Sequence, residues 1–146
     1  MERKTIIEIH DFQEESFANG VRIMQPFYEK ENISFMELKV LKMIIVTDHM
    51  TLNVLAKQLN KAATNTSVMV KRMEQKGLLT KTVSSTDKRI LFLSPTKKGK
   101  QLLYDSINHF AKIAVNDKKF EESLEQLHQA LANYNKELAR IFTKTT

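Results

Sequence analysis

One short stretch carries side chains suited to reading a nucleic-acid surface. Wound as a helix, residues 63–76 leave Thr64, Asn65, Ser67, Val68 and Lys71 on the outer side, with Ala63 at the start. Short hydrogen-bonding groups suit base edges, a β-branched apolar group suits a thymine methyl, and a cation suits phosphate. A merely solvated helix face would more often present Glu and Lys. Lys76 adds a second cation near the end of the helix. Further on, Asp87-Lys88-Arg89 puts a basic group at a polar tip between two β-rich runs.

Charge follows the same stretch. Residues 51–100 hold eleven lysines and arginines against only Glu74 and Asp87, a net of +9, while the whole chain carries +6. Residues 1–50 are net −3 and residues 101–146 are neutral. Positive charge gathered on one module is the electrostatic footprint of DNA binding. The plain alternative, a solvated basic face, does not explain why the charge coincides with a helix–turn–helix pattern.

The elements that position these groups are legible in order. Residues 51–59 form a short amphipathic helix, with Thr51 as N-cap and Leu52, Leu55, Ala56 and Leu59 inward. Asn60-Lys61-Ala62 is the turn. In the second helix Val70 and Met73 point inward, with Thr66 and Met69 at the margin, and Gly77 is the C-terminal glycine. Residues 79–83 alternate as a half-buried strand, 84–88 form the tip, and 90–93 return. Pro95 should end pairing because it offers no N–H, and Thr96 can cap the next helix. Helix, turn, helix, hairpin is the order of a winged helix-turn-helix, which places its second helix in the major groove.

The flanks read as helices. Residues 5–28 repeat Phe17, Val21, Met24 and Tyr28, with Ile9 and Phe12 extending the apolar side, and Pro26 should kink or end this helix near residues 24–25. Ser34-Phe35-Met36-Glu37 has capping-box form, and the helix behind it shows a Leu38, Leu41, Ile45 stripe. After the wing, Leu103, Ile107, Phe110 and Ala114 form a stripe, with Leu102 beside it. The last helix carries Phe120, Leu124, Leu127, Leu131, Tyr134, Leu138 and Ile141 at spacings of four and three. A heptad seam of that regularity pairs with another helix, here expected from a second subunit.

Other chemistries find little support. The absence of cysteine excludes disulfides, thiolate metal sites and a cysteine redox switch. Among His10, His49, His109 and His128, only His109 has a neighbour at ligand spacing, Asp105 four residues before it, and a surface pair is the simpler reading. No catalytic triad, paired carboxylates or glycine-rich phosphate loop is present, so neither an enzyme nor a bound cofactor or metal is expected. The N-terminal residues lack a signal-peptide apolar core and no run is long enough to span a bilayer, so a cytoplasmic protein is expected. Met24, Met36 and Met43, three of seven methionines, fall on the first two helices. Flexible thioethers suit an adaptable apolar cavity for a small effector, although core filling explains them too.

The motifs together resemble the MarR family of bacterial winged helix-turn-helix transcriptional regulators. Four segments carry the resemblance. They are Leu52-x-x-Leu55-Ala56-x-x-Leu59, the run from Val70 through Lys76-Gly77 to Leu79, Asp87-Lys88-Arg89, and Thr96-x-x-Gly99-x-x-Leu102. The chain departs from the family pattern at Lys61, Ala62 and Pro95. The resemblance implies a mainly α fold with a small β-hairpin wing and N- and C-terminal dimerisation helices. It implies a homodimer on double-stranded DNA with an inverted-repeat operator, a repressor role, and release by a small apolar or aromatic effector. It also implies that Arg89 enters the minor groove while Asp87 holds the wing in shape.

The expected organisation is therefore a dimerisation helix over 1–33, a DNA-binding winged helix over 34–100, and dimerisation helices over 101–146. The DNA-binding set is Ala63, Thr64, Asn65, Ser67, Val68, Lys71, Lys76, Asp87, Lys88 and Arg89. A winged helix that binds another protein rather than DNA is the alternative.

Overall fold

The computed structural model describes residues 3–145. The order is α1 (Arg3–Lys30), α2 (Phe35–Val46), α3 (Leu52–Gln58), α4 (Ala63–Gln75), β1 (Leu79–Val83), β2 (Leu91–Pro95), α5 (Lys97–Val115) and α6 (Lys118–Thr145). This is the mainly helical fold with one two-stranded antiparallel wing that the sequence predicts. The described residues fall into two compact units, one reaching Ser106 and one starting at Ile107, so the boundary lies inside α5.

In the first unit, α1 continues through Pro26 to Lys30 rather than ending near residues 24–25. A proline inside a helix costs about 3 kcal/mol. Two large side chains just beyond it, Phe27 and Tyr28, are buried, and each contributes about 1.5–3 kcal/mol. Their burial requires the helix to continue. The edge-on contact of Phe17 with Phe35, ring centroids 4.9 Å apart, joins α1 to the start of α2.

The capping box that opens α2 is formed. Ser34 Oγ accepts from the Glu37 N–H at 3.1 Å, and the Glu37 carboxylate accepts from the Ser34 N–H at 2.8 Å. The buried face of α2 is Glu37, Val40, Leu41 and Ile44. It is rotated from the expected Leu38, Leu41, Ile45 stripe because a glutamate takes a core position, and Leu38 and Ile45 are only half-buried.

Thr51 caps α3 through the Val54 N–H, and α3 packs on α4 with Leu55 and Ala56 buried. At the end of α4, Leu78 N–H reaches the Met73 carbonyl and Gly77 N–H reaches the Glu74 carbonyl. With Gly77 at φ +71°, this is a Schellman closure.

The wing pairs Leu79 with Pro95 through Val83 with Leu91. Pairing therefore extends to Pro95, beyond the expected stop, because a terminal strand residue can lack an N–H without breaking the ladder. The preceding segment also joins the wing. Thr51 bridges to Phe92, and Leu93 N–H donates to the Met50 carbonyl at 2.7 Å. These bonds tie the wing base to the head of the helix-turn-helix.

Thr96 caps α5, accepting from Gly99 N–H at 3.0 Å while its hydroxyl donates to the Gly77 carbonyl at 2.7 Å. Leu102 and Ser106 are the buried positions that follow, in place of the expected Leu103. In the second unit Ala114 is buried, Phe110 stacks edge-on against Phe120, and Ile107 is exposed. Asp117 caps α6 through the Phe120 N–H.

Candidate nucleic-acid interface

The residues expected to form a reading face lie together as a continuous exposed strip on α4. Ala63, Thr64, Asn65, Ser67, Val68 and Lys71 are all exposed, Val68 at 71%. Behind the strip, Val70, Met73 and Thr66 are buried. Thr66 is more deeply placed than the margin position expected. Burial is tolerated because its hydroxyl donates to the Ala62 carbonyl at 3.1 Å.

The helix begins at Ala63, with Ala62 as an N-cap that offers no side-chain acceptor. Where a serine or threonine would have used one N–H internally, the first turn keeps its donors facing outward. Free N–H groups and the positive end of the helix dipole both suit a phosphate.

The wing tip is closed by its own hydrogen bonds. Ser84, which is buried, donates its N–H to the Ile90 carbonyl at 2.9 Å. Its hydroxyl lies 3.0 Å from that of Thr86 and accepts from the backbone N–H groups of Thr86 and Asp87. Asp87 Oδ1 accepts from the Arg89 backbone N–H at 2.9 Å. Asp87 thus shapes the tip through the backbone. Among the described residues, Lys71, Lys88 and Arg89 make no side-chain ion pair, and all three are exposed. Lys81 is spent otherwise, bound to Glu74 at 2.8 Å.

The Lys76 ammonium lies 3.0 Å from both oxygens of Glu37 and donates to the Asn32 carbonyl at 2.7 Å. The same carboxylate takes the Arg72 Nε–H at 2.8 Å. Lys76, expected among the phosphate contacts, thus stands with its ammonium paired to Glu37 and its side chain 25% exposed. Glu37 is only 1% exposed. Burial opposes its ionisation. The Ser34 N–H, then Lys76 and Arg72, outweigh that and hold the carboxyl below its ordinary value. The sequence marked Glu37 only as a helix cap, and its cationic partners lie 35 and 39 residues further along the chain.

A cavity of about 410 Å³ borders this cluster, lined by Val21, Tyr28, Phe35, Glu37, Arg72 and Lys76 among others. A second, of about 380 Å³, lies against Asn32, Lys76, Lys98 and Asp105. None of Met24, Met36 and Met43 lines either; Met24 is buried and the other two are half-buried. Asp105 accepts from Gln101 at 2.9 Å, and no group of three metal-ligating side chains occurs among the described residues. No helix among them is long and apolar enough to cross a membrane.

Comparison with known proteins agrees with this geometry. The family model described as the MarR family matches residues 33–91. An organic hydroperoxide resistance transcriptional regulator of Bacillus subtilis (strain 168) is 32% identical over 109 residues, covering 73% of each chain. Among solved structures, the S. aureus MepR–DNA complex is similar at a TM-score of 0.65 and 22% identity, covering 89% of this chain and 96% of that one. YusO of Bacillus subtilis is similar at a TM-score of 0.66 and 18% identity, covering 92% and 99%. The transcriptional regulator BldR of Sulfolobus solfataricus is similar at 0.63 and 20%, covering 91% and 99%. At these identities the solved structures speak to the fold.

Proposed function

The chain belongs to the MarR family and is a DNA-binding transcriptional regulator; from that premise we propose that it acts as a homodimeric repressor on an inverted-repeat operator. The observation that carries the reading is the exposed strip from Ala63 to Lys71 beside a wing tip presenting Lys88 and Arg89. In this reading Thr64, Asn65, Ser67 and Val68 contact base edges in the major groove. Lys71 and the first turn of α4 contact phosphates. Arg89 enters the minor groove, whose potential attracts arginine most strongly where it is narrow.

Dimerisation is assigned to residues 1–33 and 101–146. On α6, Leu127, Leu131, Tyr134 and Leu138 are each 43–49% exposed, spaced as a helix-pairing seam. On α1, Ile6, Ile9, Phe12 and Phe17 are exposed as well. Apolar stripes of this length are expected to be covered by a second copy in an isologous interface. Two α4 helices would then sit about one DNA turn apart, roughly 34 Å or a multiple of it. A cytoplasmic location follows from this role. Release by a small effector is part of the proposal, and the cavities of about 410 Å³ and 380 Å³ on either side of Lys76 are the candidate volumes. With no cysteine in the chain, thiol oxidation is not the trigger.

The test is selection of binding sites from a randomised duplex pool, followed by Asn65→Ala and Lys71→Ala. Enrichment of an inverted repeat is the expected result. Asn65→Ala should relax preference at one or two positions by about 1–3 kcal/mol. Lys71→Ala should weaken all sequences alike and make the salt dependence shallower by about one unit of slope. A pool that yields no enriched sequence would leave this winged helix as a protein-interaction module.

A further inference from the structure

Arg72 and Lys76 stand one turn apart in the C-terminal part of α4, and Glu37 on α2 holds both. Lys76 is also anchored at the α1–α2 corner through the Asn32 carbonyl. Its own carbonyl, the C-cap of α4, accepts from Lys98 of α5 at 2.8 Å. Four parts of the first unit thus meet on the last turn of the recognition helix, and the only carboxylate in the knot is buried.

With Glu37 buried but the Arg72 and Lys76 side chains 57% and 25% exposed, solvent screening and desolvation of the carboxylate offset much of the Coulombic gain, so the cluster is a modest source of stability. What it does supply is direction. Three charged hydrogen bonds of 2.8–3.0 Å tie one side of the last turn of α4 to a fixed point on α2, in addition to its apolar packing. The sensitivity is high: with an outer radius of ~5–6 Å, a roll of ~20° carries the tips of reading side chains by ~2 Å. That displacement is enough to lose a bidentate base contact.

We propose that Glu37 is a positioning residue for operator recognition, which sets the roll of α4 by gripping Arg72 and Lys76 and keeps both cations out of the DNA contact. The inference rests on the reading of the outer α4 face as the base-contacting surface. It divides two neighbouring cations by role: Lys71 neutralises phosphate, and Arg72, although 57% exposed at its side chain, orients the helix.

The experiment measures anisotropy of two labelled duplexes over a range of salt. One is the duplex that the wild-type chain enriches from a randomised pool; the other is a scrambled duplex of the same composition. Glu37→Gln keeps the size of the side chain and removes the charge, and Arg72→Met removes one grip. Each variant should lower the ratio of specific to non-specific affinity about tenfold, on the order of one lost base contact. Arg72→Met should leave the salt slope on the scrambled duplex at the wild-type value, while Lys71→Ala makes it shallower by about one.

A slope change in Arg72→Met equal to that of Lys71→Ala would make Arg72 a phosphate contact and overturn the proposal. A wild-type affinity ratio in folded Glu37→Gln would overturn it too, leaving the cluster purely structural. Should circular dichroism show Glu37→Gln unfolded, Arg72→Met decides alone. A lowered ratio at unchanged slope then supports the assignment, and an unchanged ratio removes it. If the wild type enriches no duplex, the DNA-reading assignment of α4 fails first, and that result precedes any variant.

Discussion

Replacing Gly99 by alanine tests how α5 is seated on the winged helix. An added Cβ would stand 2.1 Å from the Leu78 carbonyl oxygen and 3.0 Å from Leu41 Cδ1. The oxygen cannot yield freely, since it accepts the Thr96 N–H at 3.1 Å and belongs to the chain that enters β1. Nor can the first turn of α5 lift without disturbing the Thr96 cap. Overpacking costs about 1–3 kcal/mol, and loss of the Thr96–Leu78 bond adds about 0.5–1.5 kcal/mol. The helix propensity of alanine returns about 1 kcal/mol. The net expectation is destabilisation of about 1–3 kcal/mol.

Gly77 is the control, with nothing within 4 Å of its added Cβ but a φ of +71°. Gly77→Ala should cost about 1–2 kcal/mol from backbone strain alone. The two sites separate with asparagine, which tolerates the left-handed region and would recover part of the loss at 77 but none at 99. Urea unfolding followed by circular dichroism, at fixed protein concentration because association would shift the midpoint, is the assay. A Gly99→Ala variant as stable as wild type would show that the close approach of α5 to Leu78 is not held in solution.

Arg89→Ala should weaken operator binding roughly tenfold to a hundredfold, the equivalent of about 1–3 kcal/mol, with unchanged circular dichroism because the side chain is exposed; unchanged affinity at physiological salt would remove the wing from the mechanism. Leu131→Asp, which puts a charge in the α6 seam, should turn a dimer into a monomer or unfold the chain, and sedimentation of the wild type as a stable monomer at micromolar concentration would refute the dimer. The lowered carboxyl of Glu37 contributes stability that is present above its ordinary value of 4.5 and lost as pH falls through the lower folded value. Urea midpoints should therefore fall more steeply below pH 4.5 in wild type than in Glu37→Gln, and parallel pH profiles would contradict the ion-pair assignment.

Much of this protein was written locally. The caps at Ser34, Thr51 and Thr96 and the glycine at 77 act through hydrogen bonds spanning three to five residues, so their types and spacing declare them. The outer strip of α4 could be read from helical period alone, because the inward positions Val70 and Met73 fix which side is left. Charge placement needed only counting.

Tertiary structure decided what local rules could not. Pro26 reads as a break until the burial of Phe27 and Tyr28 outweighs it. Glu37 reads as a cap until Arg72 and Lys76 arrive from another helix and pair with its carboxylate. Gly99 reads as an ordinary helical residue until the Leu78 carbonyl appears where its Cβ would be. The physical reason is common to all three. Backbone propensity and capping depend on neighbours a turn away and are carried by the sequence itself. Desolvation, ion pairing and close approach depend on groups tens of residues distant, which only the folded chain brings within reach.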